Sequence, residues 1–250
     1  MATDSTIRDH QAWLGYLQPD GLVVSPAALV DAQVLLDRNA APLQQRFLEF
    51  VSESEKDGQT TWSLTSLKTF LLNFLEWPVE YLAGRDATDP IPESLQVPLR
   101  EFGETLQPTY AFRDPNAPEG EAGYLLLLQD FPAGTDLDAP VESAMAGWSA
   151  SHTRRFERLL RETRVPIGLI SNHHVLRIVY APRGENAGTL TFPVSAMAEI
   201  AGRPILAALE MLLSSYRLLS APSEARLPAL LKRSRDYQGR VSTQLARQVL

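Results

Sequence analysis

Apolar residues recur at helical spacing through the first part of the chain. Ser25 followed by Pro26 is typical of a helix start, because serine caps the first amides and proline fits the first helical position. The three-to-four-residue spacing behind it predicts a helix, and the same pattern recurs twice. The predicted helices cover about 26–38, 42–53 and 64–75, with a charged loop at about 54–58. We therefore predict a helical N-terminal subdomain over residues 1–90.

The pattern changes to short apolar runs bounded by turn residues from about residue 106. Residues 124–128 read Tyr-Leu-Leu-Leu-Leu, which is typical of a strand buried on both faces. The predicted strands cover about 107–113, 123–129, 166–171, 175–180 and 189–193, and a helix is predicted at about 149–164. This order predicts an α/β fold over residues 91–202, in which helices flank one mixed sheet.

Helical spacing returns near the C-terminus, at about 203–219 and 223–250. The second of these segments runs to Leu250 without a capping residue, a glycine or a polar tail. We predict that residues 203–250 form the start of a helical connector, and that the chain is a fragment of a longer protein.

The composition excludes several kinds of site. The sequence contains no cysteine, which excludes disulfides, zinc–thiolate sites, iron–sulfur clusters and cysteine nucleophiles. No apolar run approaches the ~20 residues of a membrane span, and the N-terminus lacks the pattern of a signal peptide. These features predict a cytoplasmic protein without a membrane partner.

Charge is divided unevenly along the chain. Residues 1–150 hold 8 Lys and Arg against 23 Asp and Glu, whereas residues 151–250 hold 15 against 7. A basic half in a chain of net charge −7 indicates either a polyanionic partner or attraction to acidic protein surfaces. The candidate DNA-binding residues are one stripe on a predicted helix and one later cluster. They are Arg154, Arg155, Arg158 and Arg161, and Lys232, Arg233 and Arg235.

The order of helix, strand, Asp, apolar strand, basic helix and two strands resembles that of PD-(D/E)XK nucleases. In those enzymes two acidic residues bind Mg²⁺, and a lysine stabilises the reacting groups. Asp114 occupies the position of the first acid, but Leu127 and Gln129 stand where the second acid and the lysine belong. Leucine cannot bind Mg²⁺, and a neutral amide cannot replace the charge of a lysine. The resemblance therefore implies a vestigial centre, with no catalytic residue and no metal.

Several segments resemble the N-terminal region of fused type II restriction-modification adenine methyltransferases, which also occur in phage-defence systems such as DISARM. The segments are 102–110 (FGETLQPTY), 129–138 (QDFPAGTDLD), 156–160 (FERLL), 166–172 (PIGLISN) and 176–179 (LRIV). Many of these relatives have glycine after the Asn that corresponds to Asn172, where this chain has His173. The resemblance implies that a methyltransferase domain binding S-adenosylmethionine lies outside this chain. It also implies DNA, the rest of the parent chain and other defence-system subunits as partners.

Three functions follow as hypotheses. The first is a DNA-binding or scaffolding N-terminal module of such a protein, without a cofactor of its own. The second is an active Mg²⁺-dependent endonuclease, in which Asp114 acts together with Glu101, Glu104 or Asp130. The third is a protein-interaction module that never contacts DNA.

Overall fold

The structure is a computed structural model that describes residues 2–56, 58–117, 123–142 and 148–249, without the side chains of 2, 3, 56, 59 and 239–249. The α-helices are α1 (Ala2–Leu17), α2 (Pro26–Asp31), α3 (Ala41–Leu48), α4 (Leu67–Thr69), α5 (His152–Thr163), α6 (Val194–Ala198), α7 (Arg203–Leu213) and α8 (Leu227–Val249). The strands are β1 (Val51–Lys56), β2 (Gln59–Leu64), β3 (Leu82–Gly84), β4 (Val97–Leu99), β5 (Glu104–Leu106), β6 (Tyr110–Arg113), β7 (Tyr124–Asp130), β8 (Pro140–Glu142), β9 (Ser149–Ser151), β10 (Ile167–Ser171), β11 (Val175–Tyr180) and β12 (Gly188–Pro193). Two π-helical turns, Phe70–Phe74 and Tyr216–Ser220, follow α4 and α7.

A six-stranded sheet lies at the centre, in the order β12-β11-β10-β7-β6-β3. Strands β7 and β10 are parallel, and every other neighbouring pair is antiparallel. Helix α5 lies in the connection between the two parallel strands, as a parallel pairing requires. The predicted α/β class, with helices flanking a mixed sheet, is confirmed, and all five predicted strands belong to this sheet.

The sheet has two differently covered faces. We call the side that α1, α7 and α8 cover the helical face, and the side that α5 covers the α5 face. Side chains of a strand alternate between faces, so Leu126 and Leu128 lie in the core of the helical face and Leu127 lies in that of the α5 face. The cluster on the helical face extends from Trp13 to Leu231, so residues from all three predicted segments share one core.

The predicted helix at 42–53 is wrong in its second half. Helix α3 ends at Leu48, and β1 begins at Val51 and pairs with β2 along its whole length. Gly58, with φ +75°, adopts the left-handed conformation that glycine accommodates in a tight turn. Of the charged loop predicted at about 54–58, residues 54–56 belong to β1 and Gly58 to the turn, whereas residue 57 lies outside the described residues. The helix predicted from residue 64 begins only at Leu67.

Two other helices are shorter than predicted, because polar groups satisfy their ends early. Helix α2 stops at Asp31, where Gln33 has φ +55° and the amide of Val34 donates to the carbonyl of Leu29. Helix α7 stops at Leu213, and the buried guanidinium of Arg217 donates to the carbonyls of Met211 and Ala225. Among the described residues, no helix combines the length and apolar character needed to cross a membrane.

Candidate functional site

The positions predicted for a nuclease centre do not come together. Asp114 follows β6 at the end where β7 begins, and its carboxylate accepts the amide of Asn116 at 2.9 Å. Gln129 lies at the other end of β7, about 17 Å away at ~3.3 Å per strand residue. Leu127 is fully buried in the core of the α5 face. Asp114 therefore shapes a turn, apart from the other two positions.

The three acids considered as partners of Asp114 are paired with basic side chains elsewhere. Glu101 lies 3.3 Å from Arg158, and Glu104 forms an ion pair with Arg155. Asp130 is at the carboxyl end of β7, where it contacts His173 and Arg85. Within the described ranges, no group of three or more His, Cys, Asp or Glu side chains has an arrangement that could hold a metal ion.

Two arginines of the predicted stripe on α5 share one buried glutamate. Ser151 caps α5 by accepting the amide of Arg154, and the guanidinium of Arg154 reaches Glu157 at 3.0 Å. Arg161, one turn beyond Glu157, lies 3.7 Å from the same carboxylate. The Glu157 side chain is 5% exposed, which makes it the fixed centre of this group.

The other two arginines of the stripe pack on aromatic rings. The guanidinium of Arg155 lies 4.6 Å from the centre of the Trp148 ring and donates to Glu104 and to the carbonyl of Val141. Arg158 lies 5.3 Å from the same ring and pairs with Glu101. All four arginines thus face a carboxylate of the same molecule, which offsets their charge.

The predicted cluster on α8 is less fully paired. Lys232 is exposed, Arg233 is half-buried, and the guanidinium of Arg235 stacks 5.3 Å from the centre of the Tyr180 ring. Nε and Nη2 of Arg235 are buried and have no hydrogen-bond partner in the described part of the chain. Among the described residues, the cluster therefore lacks the close carboxylate pairing of the arginines on α5.

A polar centre lies at the carboxyl ends of the parallel strands, where α/β sheets commonly bind ligands. Oδ1 of Asp130 is 3.3 Å from Nε2 of His173, and Oδ2 is 3.4 Å from Arg85. The Nδ1 atom of His173 lies 2.8 Å from the carbonyl oxygen of Leu64, which can only accept a hydrogen bond. The Asp130 carboxylate raises the pKa of His173 above its usual value, although burial opposes this effect.

The backbone explains why His173 reaches Asp130. His173 adopts φ +64° in the turn between β10 and β11, a conformation that favours glycine. Asn172 fixes this turn, because its Oδ1 accepts the amides of His174 and Val175. The turn also holds the β1–β2 hairpin, since the amide of Leu64 donates to the carbonyl of His173.

A cavity of about 340 Å³ opens beside this centre on the α5 face. It lies between β5, the end of β7 and the first turns of α5. Its lining residues come from these elements and from the segments next to them. They are Glu104, Thr105, Leu106, Gln107, Gln129, Phe131, His152, Arg155, Phe156 and Leu159.

The cavity and the Asp130 centre were not predicted from the sequence. Gln129 and Asp130 are neighbours on β7, so their side chains point to opposite faces of the sheet, Gln129 into the cavity and Asp130 towards His173. The polar run Ser171-Asn172-His173-His174 after an apolar strand was the available signal. The chain matches no protein-family profile, no curated protein and no solved structure.

Proposed function

We propose that this chain is a scaffolding module of a larger DNA restriction-modification or phage-defence protein, and that its nuclease-like centre is degenerate. The observation that carries the proposal is that Leu127, at the position of the second acid, is fully buried and pairs with Ala111, three residues before Asp114. A two-acid Mg²⁺ site needs its carboxylates within coordination distance of one ion. The sequence resemblance supports the biological setting of the module.

The ion pairs between the arginines of α5 and nearby glutamates favour scaffolding over DNA binding by this helix. A phosphate would have to displace Glu157, Glu104 or Glu101 from their arginines, and these carboxylates would repel it. Arg155 and Arg158 also hold Trp148 against the protein surface. The stripe therefore serves to fasten α5 to the segments around it.

The α8 cluster favours DNA binding as a second candidate function. Lys232 is exposed and Arg233 is half-buried, and neither forms an ion pair among the described residues. Each phosphate that a cationic side chain neutralises contributes about −0.9 to the slope of log affinity against log salt. A contact through this cluster would therefore weaken measurably as salt is raised.

Two measurements separate the candidates. Labelled duplex DNA is titrated at several salt concentrations with the wild type, with Arg154, Arg158 and Arg161 all changed to alanine, and with Lys232 and Arg233 both changed to alanine. We expect the α5 variant to bind as the wild type does, and the α8 variant to lose about two units of salt slope if DNA is bound there.

The scaffolding role is tested directly by coexpression with the methyltransferase-containing part of the parent protein. We expect the two parts to purify together as a complex, and the wild-type chain with Mg²⁺ or Mn²⁺ not to cleave DNA. Cleavage that Asp114→Ala abolishes would overturn the degenerate centre. Failure of the parts to associate would overturn the scaffold.

A further inference from the structure

The cavity on the α5 face has the size and construction of a small-ligand site. Its volume of about 340 Å³ is near the lower end of the roughly 300–1,000 Å³ typical of such sites. Apolar side chains of Leu106, Phe156 and Leu159 form one part of its wall, and polar side chains converge on the rest. A ligand of nucleobase or nucleoside size therefore fits, whereas a dinucleotide is too large.

The charges around the cavity favour an uncharged ligand. Glu104 and Arg155 form an ion pair with each other across its edge. Burial lowers the pKa of His152, and the neighbouring Arg155 lowers it further, which favours the neutral form of its imidazole.

The start of α5 is also closed to an anion. The amide of Arg154 donates to the capping Ser151, and the amide of Thr153 donates to the carbonyl of Leu137. These two amides are therefore already satisfied, although the start of a helix is often an anion site.

Two rings and two amides supply groups that a planar heteroaromatic ligand can use. The rings of Phe131 and His152 lie with their centres 4.3 Å apart and their planes tilted by 46°, at the edge of the cavity. The side-chain amides of Gln107 and Gln129 have no hydrogen-bond partner in the described part of the chain. Each amide offers a donor and an acceptor side by side, which matches the polar edge of a nucleobase.

A second cavity shares part of the lining of the first at the end of β7. Gln107 and Gln129 also line this second cavity, of about 450 Å³, together with Gln96, Thr109 and Arg85. The lining of the second cavity is more polar than that of the first. A sugar attached to a base in the first cavity would meet groups here that can bond its hydroxyls.

We propose that the first cavity binds an uncharged nucleobase, which stacks on Phe131 and bonds Gln129 through its polar edge. The base comes either from a free nucleoside or from an unpaired position of a single strand. The proposal goes beyond the scaffolding function and does not depend on it. Absence of a bound nucleobase would overturn this proposal and leave the scaffold standing, and failure to associate with the parent protein would overturn the scaffold and leave this proposal standing.

The test is calorimetric titration of the purified chain with adenosine, guanosine, cytidine and uridine, with ribose as the control ligand. We expect at least one nucleoside to bind and ribose not to bind. Gln129→Leu keeps the size of the side chain and removes its amide, so it should weaken binding about three- to tenfold. Phe131→Ala removes the stacking surface and should weaken it about fivefold or more.

The matched control is Gln45→Leu, the same substitution at an exposed position of α3, which should bind as the wild type does. Short single-stranded homopolymers are the second set of probes. If they bind much more tightly than the nucleosides and Gln129→Leu weakens them equally, the source of the base is a strand. The proposal is overturned if no nucleoside or homopolymer binds at millimolar concentration of base, or if Gln129→Leu and Phe131→Ala both bind as the wild type does.

Discussion

The two faces of the central sheet differ in how they are closed. On the helical face, a continuous apolar cluster packs large side chains such as Trp13, Trp77 and Phe192 between the sheet and helices from both ends of the sequence. On the α5 face, one long helix and the β4–β5 hairpin cover a smaller cluster. Ion pairs and a cavity, instead of further apolar packing, form the edge of this second face.

Because the two faces are closed differently, the residues that stabilise the fold and the residues of the candidate site lie on opposite sides of the sheet. Apolar burial contributes about 25 cal/mol per Å², whereas a partly exposed ion pair contributes about 0–1 kcal/mol. The helical face therefore holds the fold together. The edge of the α5 face can leave a cavity open at little cost in stability.

The largest expected effect is that of Trp77→Ala on the helical face. Trp77 is 2% exposed, its ring lies 4.6 Å from the centre of Phe112, and its Nε1 donates to the carbonyl of Leu213 at 2.6 Å. Its truncation should lower the free energy of unfolding by about 3–5 kcal/mol. Leu106→Ala beside the cavity should lower it by only about 2 kcal/mol. Equal losses in urea unfolding would show that the two faces carry the fold alike.

The next largest effect is that of Gly168→Ala, which tests whether the α5 face is tightly packed at its centre. A Cβ atom added to Gly168 of β10 would collide with the buried ring of Phe156 on α5. Gly168→Ala should therefore destabilise the protein by about 1–3 kcal/mol. Gly15→Ala is the control, since a Cβ there meets no atom within 4 Å and lies on α1. It should stabilise the protein by about 0.5–1 kcal/mol. Thermal unfolding of both variants measures the contrast.

A smaller effect comes from His10 in the helical face. Nε2 of His10 donates to the carbonyl of Val34, and its Nδ1 accepts the indole N–H of Trp13 at 3.1 Å. Burial lowers the pKa of His10, because the charged ring would lose its solvation there. A protonated Nδ1 would also face the indole N–H donor of Trp13. The contribution of His10 to stability is therefore fully present above the unfolded pKa of about 6.5, and it falls as the pH drops below that value.

The slope expected from His10 is at most about 1.4 kcal/mol per pH unit. Urea unfolding of the wild type and of His10→Gln between pH 5 and pH 7 measures it. A variant that loses stability as steeply as the wild type over this range would show that His10 is not the responsible group.

The smallest effect, of opposite sign, comes from His173 at the sheet edge. Asp130 raises the pKa of His173, so the contribution of this pair is fully present below about pH 6.5 and is lost as the pH rises through the folded pKa. The loss should be below about 1 kcal/mol, since both side chains remain partly exposed. His173→Asn, which tolerates a positive φ, and Asp130→Asn should each abolish this dependence between pH 6 and pH 8. If the pH dependence of stability persists in either variant, the pair of His173 and Asp130 is not its source.

Local patterns predicted the sheet well, because each strand carries its own signal. Residues 175–180 were predicted with the observed bounds, and β7 was predicted to within one residue of each end. Helix α1 and strand β3 were not predicted. Strand β3 is three residues long and is defined by its pairing with β6, which local sequence does not encode. Hairpin β1–β2 was missed because its alternating Ser and Glu residues resemble a polar loop.

The candidate site depended on long-range pairs and could be predicted only in part. Spacing correctly placed Arg154, Arg158 and Arg161 on one helix. It could not show that Glu101 and Glu104, more than 50 residues earlier in the sequence, would face Arg158 and Arg155. Ion pairs between distant segments leave no periodic signal, so the charge of a helix face cannot be read from that helix alone.

The parallel pairing of β7 with β10 has a consequence for the order of folding. Strands β6 and β7, and likewise β10, β11 and β12, form antiparallel neighbours that are close in sequence. Only the β7–β10 pair joins these two groups within the sheet of described strands, and it matches Leu127 with Gly168 across the whole α5 connection. Pairs that close long loops form more slowly than local ones. The two groups should therefore form first, and the carboxyl-end centre, with its cavity, should be assembled only when this last pair closes.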